Sequence, residues 1–121
     1  MSDKNYTIAL DEHDFQGEIF NKKGIVLVDF WAPWCGPCRA MGPVVEKVAR
    51  DFAGRAKIGK VNVDDNETLA ASYEITAIPT ILILKDGEVV GRFVGAVTEE
   101  ALTNTLSELL DGADKETSAV A

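Results

Sequence analysis

Ile25-Val26-Leu27-Val28-Asp29-Phe30-Trp31, followed at once by Ala32-Pro33-Trp34-Cys35-Gly36-Pro37-Cys38, is the stretch on which the reading of this chain turns. Its first seven residues are apolar apart from Asp29, which predicts a strand buried on both faces at residues 25–31. From Cys35 to Phe52 the spacing of Met41, Val44, Val45, Val48, Ala49 and Phe52 is that of one helical face. Pro43 lies inside that helix and should kink it. Two thiols three positions apart at a helix start share a face, within the roughly 4.4 to 6.8 Å Cα separation that a disulfide tolerates. They can open and close reversibly.

These are the only two cysteines in the chain, and three uses of them compete. As a structural staple the pair is poor: closing a loop of about four residues yields about 2 kcal/mol, against nearly 5 for a loop of about a hundred. As a zinc site it lacks partners, because four-coordinate zinc takes four Cys or His ligands and the single histidine, His13, is expected in a separate helix. No metal is therefore expected. A redox pair is the favoured reading, with an intersubunit metal site and a static disulfide as the alternatives.

The chain of 121 residues is 46 % hydrophobic and 26 % charged, ordinary for one domain with its own core. Its formal net charge of −8 speaks against nucleic acid as a partner, and acts for solubility or for steering toward basic surfaces. The first residues, Met1-Ser2-Asp3-Lys4-Asn5, are polar and lead into no long apolar run. This gives no secretory signal and no membrane span, so a cytoplasmic protein is expected. A reducing cytosol favours a catalytic over a structural thiol pair. The last eleven residues, 111–121, are small and polar after Gly112, and are expected to form a flexible acidic tail on a domain of residues 1–110.

The remaining elements follow from pattern. A short strand is expected at residues 6–10, then a helix over 11–20 capped by Asp11 and carrying Phe15, Ile19 and Phe20. A third strand is expected at 57–63, and a short helix capped by Asn66 reaching Tyr73. Strands at 80–85 and 88–94 are joined by Lys85-Asp86-Gly87-Glu88, a hairpin turn. Thr98 with Glu99 and Glu100 opens a last helix whose Leu102, Leu106, Leu109 and Leu110 form a core stripe. The order predicts an α/β domain, a mixed sheet covered on both faces with the second strand central. Ligands of such sheets bind beyond the carboxyl ends of the strands, where Cys35 falls.

Trp34-Cys35-Gly36-Pro37-Cys38 followed by Pro43, the Asp in the preceding strand, Ile78-Pro79-Thr80 and Lys85-Asp86-Gly87 together resemble the thioredoxin family over about residues 5–110. The Gly-Pro between the cysteines separates thioredoxins from the Gly-His of protein disulfide isomerases and the Pro-Tyr common in glutaredoxins. The departures are Gly42 before Pro43, where Ala is common, and the acidic tail. The resemblance implies a thioredoxin fold, a central five-stranded mixed sheet flanked by four helices. It implies reduction of protein disulfides, recharging by a thioredoxin reductase, no bound cofactor and a monomer.

The attacking species must be a thiolate, and Cys35 near the helix N-cap is placed to form one. Its sulfur can accept from the free amides of the first turn; Pro37 has no N–H, which leaves the Cys38 amide as the donor. Cys35 would form the mixed disulfide and the more buried Cys38 would resolve it. Asp29, an acid in an apolar strand, is either satisfied by backbone amides or, as the resemblance implies, the proton acceptor for Cys38 with Lys60 as its charge partner; the alternative for Lys60 is a solubilising residue on an edge strand. The resemblance also implies a cis bond at Ile78-Pro79, presenting the Ile78 backbone to an extended substrate. Trp34, Gly36, Pro37, Ile78, Pro79 and the Val94-Gly95-Ala96 segment would form the flat substrate-binding patch, with Trp31 mostly packing beside it. Two other functions compete with a general reductase: a binding module that docks without turnover, and a disulfide donor.

Overall fold

The order of elements follows from where the sequence alternates between two periodicities, short apolar runs that pair and longer amphipathic runs that cover them. The computed structural model describes residues 6–15, 17, 19 and 23–120, with side chains as far as Gly112. Five strands, β1 (Ile8–Ala9), β2 (Ile25–Trp31), β3 (Ala56–Asn62), β4 (Thr80–Lys85) and β5 (Glu88–Val94), form one sheet in the order β1-β3-β2-β4-β5. The helices are α1 (Glu12–Phe15), α2 (Gly36–Asp51), α3 (Glu67–Ser72) and α4 (Glu99–Val120). β2 pairs parallel with β3 and antiparallel with β4, which makes it central as its composition required. The expected mixed sheet flanked by four helices is thus the architecture of the described residues.

Side chains of β2 point alternately to two separate cores, which is why the strand could carry no polar position without cost. Ile25 and Leu27 meet Met41, Val45, Val48, Phe52, Leu102 and Leu106 from α2 and α4. Val26, Val28 and Phe30 meet Leu10, Phe15, Ile19 and Leu69 on the opposite face. Each such fully buried large side chain contributes about 1.5 to 3 kcal/mol relative to exposure, so the sheet is clamped from both sides. α2 runs as one element through Pro43, whose ring is exposed; the expected kink does not divide it.

Four expectations shift, each for a local reason. β1 is only Ile8–Ala9 because the residues before it bond elsewhere: the Tyr6 amide and the Thr7 hydroxyl both donate to the Glu46 carboxylate on α2. α1 is described as Glu12–Phe15; Ile19 is fully buried as expected, while Phe20 lies outside the described residues. Asn66 precedes α3 without capping it, since its Oδ1 accepts from the Glu12 amide at 3.0 Å and its Nδ2 donates to the Asn62 carbonyl at 2.9 Å. α4 continues past Gly112 to Val120, where the glycine was expected to end it. A glycine inside a helix costs only about 1 kcal/mol relative to alanine, and Ala113, Lys115 and Glu116 after it are good helix formers.

The hairpin is as expected. Asp86 and Gly87 both have positive φ, 52° and 88°, the conformation that such a two-residue turn needs. Asp86 also accepts from the Gly24 amide at 2.7 Å, tying the turn to the start of β2.

Candidate active site

Cys35 stands where β2 has ended and α2 has not begun. Its φ and ψ of −90° and 112° are extended, so it is the N-cap of α2, and its sulfur accepts from the Cys38 amide at 3.2 Å. Gly36 and Pro37 fill the first turn, and the proline, having no N–H, leaves no donor unsatisfied there. The Arg39 amide donates to the Cys35 carbonyl at 3.1 Å and starts the helical ladder. Cys35 and Cys38 are joined in a disulfide with their Cα atoms 5.2 Å apart. Both are buried, Cys38 by a narrow margin the more so, in a small cluster with Ala32 that Trp31, Val63 and Ile78 pack against. A first-turn amide aimed at the sulfur and the positive end of α2 stabilise negative charge on Cys35 once the disulfide opens.

Asp29 lies on the β2 face that meets α2 and α4, in register with Lys60 on one side and Ile81 on the other. It is 1 % exposed, and neither carboxylate oxygen has a hydrogen-bond partner among the described residues. Burial pushes its pKa up to about 6, and the Lys60 charge pulls the other way without cancelling it. The backbone amides that would have satisfied a merely structural acid are therefore not there among the described residues. Lys60 is half-buried with its Nζ 4.6 Å from the centre of the Trp31 ring, so Trp31 does more than fill space: its face holds the lysine beside Asp29.

Around the disulfide the surface is apolar and open. Trp34 is 67 % and Val94 63 % exposed; Gly36, Pro37 and Ala96 are exposed, Ile78 and Gly95 are half-buried, and Pro79, expected on this surface, is buried beneath it. The Ile78-Pro79 bond is cis, and the Ile78 carbonyl oxygen lies 3.9 Å from Cys35 Sγ. The Pro79 carbonyl accepts from the Gly95 amide at 2.8 Å, which draws the end of β5 beside the start of β4. Gly95 has φ of 93°, a conformation open to glycine.

Two contributors escaped sequence reasoning. Asp64 accepts from Trp34 Nε1 with both carboxylate oxygens, at 3.2 and 3.0 Å, and so orients the exposed ring. The only signal was an acid in a polar turn, Asp64-Asp65, indistinguishable from a solvated loop. Met41, read as core, also accepts a hydrogen bond from the loop after β5.

A disulfide closed across a helix cap at the carboxyl end of a central strand, under an open apolar surface, defines a dithiol–disulfide exchange protein. The family model for thioredoxin matches residues 6–108. Thioredoxin 2 of Chlorobaculum tepidum is 49 % identical over 108 residues, covering 89 % of this chain and 97 % of that protein. Thioredoxin 1 of Synechococcus elongatus is 46 % identical over 102 residues, covering 84 % and 95 %. Thioredoxin of Haemophilus influenzae is 42 % identical over 101 residues, covering 84 % and 94 %. The chain belongs to the thioredoxin family, and is a protein thiol-disulfide oxidoreductase with redox partners. Among the described residues no helix is long and apolar enough to cross a membrane, and no cluster of three or more His, Cys, Asp or Glu side chains could hold a metal.

Proposed function

We propose that this chain is a general reductant of protein disulfides in the cytoplasm, acting as a monomer and recharged by a thioredoxin reductase. The Cys35 thiolate attacks one sulfur of a substrate disulfide, forming a mixed disulfide and releasing the other substrate sulfur as a thiolate. The Cys38 thiolate then attacks Cys35 Sγ, which closes Cys35–Cys38 and releases the second substrate sulfur. Two electrons pass to the substrate. Asp29 accepts the Cys38 proton, a role suited to a carboxyl with a pKa of about 6, and Lys60 stabilises the resulting carboxylate. The substrate lies along Trp34, Gly36, Pro37, Ile78, Pro79, Val94, Gly95 and Ala96.

The observation that carries this reading is the hydrogen bond from the Cys38 amide to Cys35 Sγ, which gives the two sulfurs unequal surroundings and so unequal roles. The test is turnover of a protein disulfide such as insulin with a regenerating reductase. Reduction that depends on both cysteines is expected. Binding of the substrate without loss of its disulfide would instead make the chain a docking module.

A further inference from the structure

Met41 lies one helical turn beyond Cys38 on α2, 3 % exposed in the core shared by α2 and α4. Its Sδ accepts a hydrogen bond from the Val97 amide at 3.5 Å, and the Val97 side chain packs against the same core. Val97 follows Gly95, whose amide is held by the Pro79 carbonyl, and precedes Thr98, whose hydroxyl accepts from the Ala101 amide as α4 begins. The exposed Ala96 is thus carried between two tied amides, one fixed to the proline beside Cys35 and one to a sulfur on the thiol-bearing helix. A leucine, isoleucine or valine at position 41 could fill this space but could not accept that bond.

We propose that Met41 is a positioning residue for substrate recognition: its thioether fixes the segment 95–97 to α2, so that the lip receiving the substrate backbone keeps a set distance from the disulfide. This rests on the proposed substrate patch. Met41 belongs to the core shared by α2 and α4 and not to the cluster that holds the two sulfurs, and it acts through Val97. Losing one hydrogen bond loosens the lip without disturbing the thiols, so the effect falls on KM and spares kcat.

The chain has two methionines, Met1 and Met41, so global replacement by norleucine exchanges the core Sδ for a methylene at nearly constant volume. Met41→Leu is the second variant. In both, the Val97 amide should exchange with solvent about fivefold faster while the Leu102 amide is unchanged, and KM for insulin should rise about three- to tenfold at constant kcat. Selenomethionine, which keeps an acceptor, should behave as methionine. An unchanged Val97 exchange rate, or a KM that stays constant while that rate rises, would overturn the proposal. Val94→Asp separates the two readings: if it leaves KM unchanged the substrate patch itself is wrong, and if it raises KM while both Met41 replacements do not, only the role of Met41 falls.

Discussion

Replacing Asp29 by asparagine should stabilise the oxidised protein at neutral pH and slow its chemistry. The carboxyl is 1 % exposed, and burial raises its pKa from 3.8 to about 6 even with Lys60 beside it. At about 1.36 kcal/mol per pH unit, keeping it ionised in the folded protein costs about 3 kcal/mol at pH 7. Because the folded pKa is the higher one, the folded chain holds the proton more tightly than the unfolded chain does. The stability linked to Asp29 is therefore full below pH 3.8 and lost as pH rises through about 6. A neutral amide at this position would remove that loss, so Asp29→Asn should gain up to about 3 kcal/mol at pH 7 and less than about 1 kcal/mol at pH 4. Urea denaturation of both proteins at the two pH values measures the difference, and insulin turnover measures the slowing expected from loss of the proton acceptor. An asparagine variant no more stable at pH 7 than at pH 4 relative to the parent, or one that turns over as fast, would refute the reasoning.

Cys38→Ser should accumulate covalent mixed disulfides with substrate proteins and Cys35→Ser none, as mass spectrometry would record; the reverse pattern would exchange the two roles. Trp34→Ala, removing a ring that is 67 % exposed, should raise KM for a protein disulfide severalfold while changing stability by less than about 1 kcal/mol. Gly95→Ala has open space for its Cβ but must adopt φ of 93°, so a thermal melt should show a loss of about 1 to 2 kcal/mol from backbone conformation alone.

The parts of the fold legible in the sequence are those fixed by local rules. β2 begins and ends where its apolar run does, and the Asp86-Gly87 pair dictates its own turn. Cys35 could be placed at the cap because Pro37 leaves few amides to choose from, and Asp29 stood out because an acid in such a strand has no ordinary reason to be there. What stayed hidden depends on partners remote in sequence. Glu46 shortens β1 from 40 residues away, and Asn66 serves the α1 backbone rather than its own helix. Asp64 and Met41 each look generic along the chain and acquire their roles from Trp34 and Val97 across the fold. The onward run of α4 through Gly112 shows the opposite limit, a local stop signal too weak to stop anything.

The disulfide straddles a boundary: one sulfur belongs to an extended cap residue and the other to the first turn, while the ladder bond from the Arg39 amide runs to the Cys35 carbonyl and not to either sulfur. That rung is made of backbone atoms alone. Oxidation state is therefore written on two side-chain atoms just beneath the open apolar surface, and a partner must come into contact with those atoms to read it. The protein works as a token that is handed over and returned, loaded or spent.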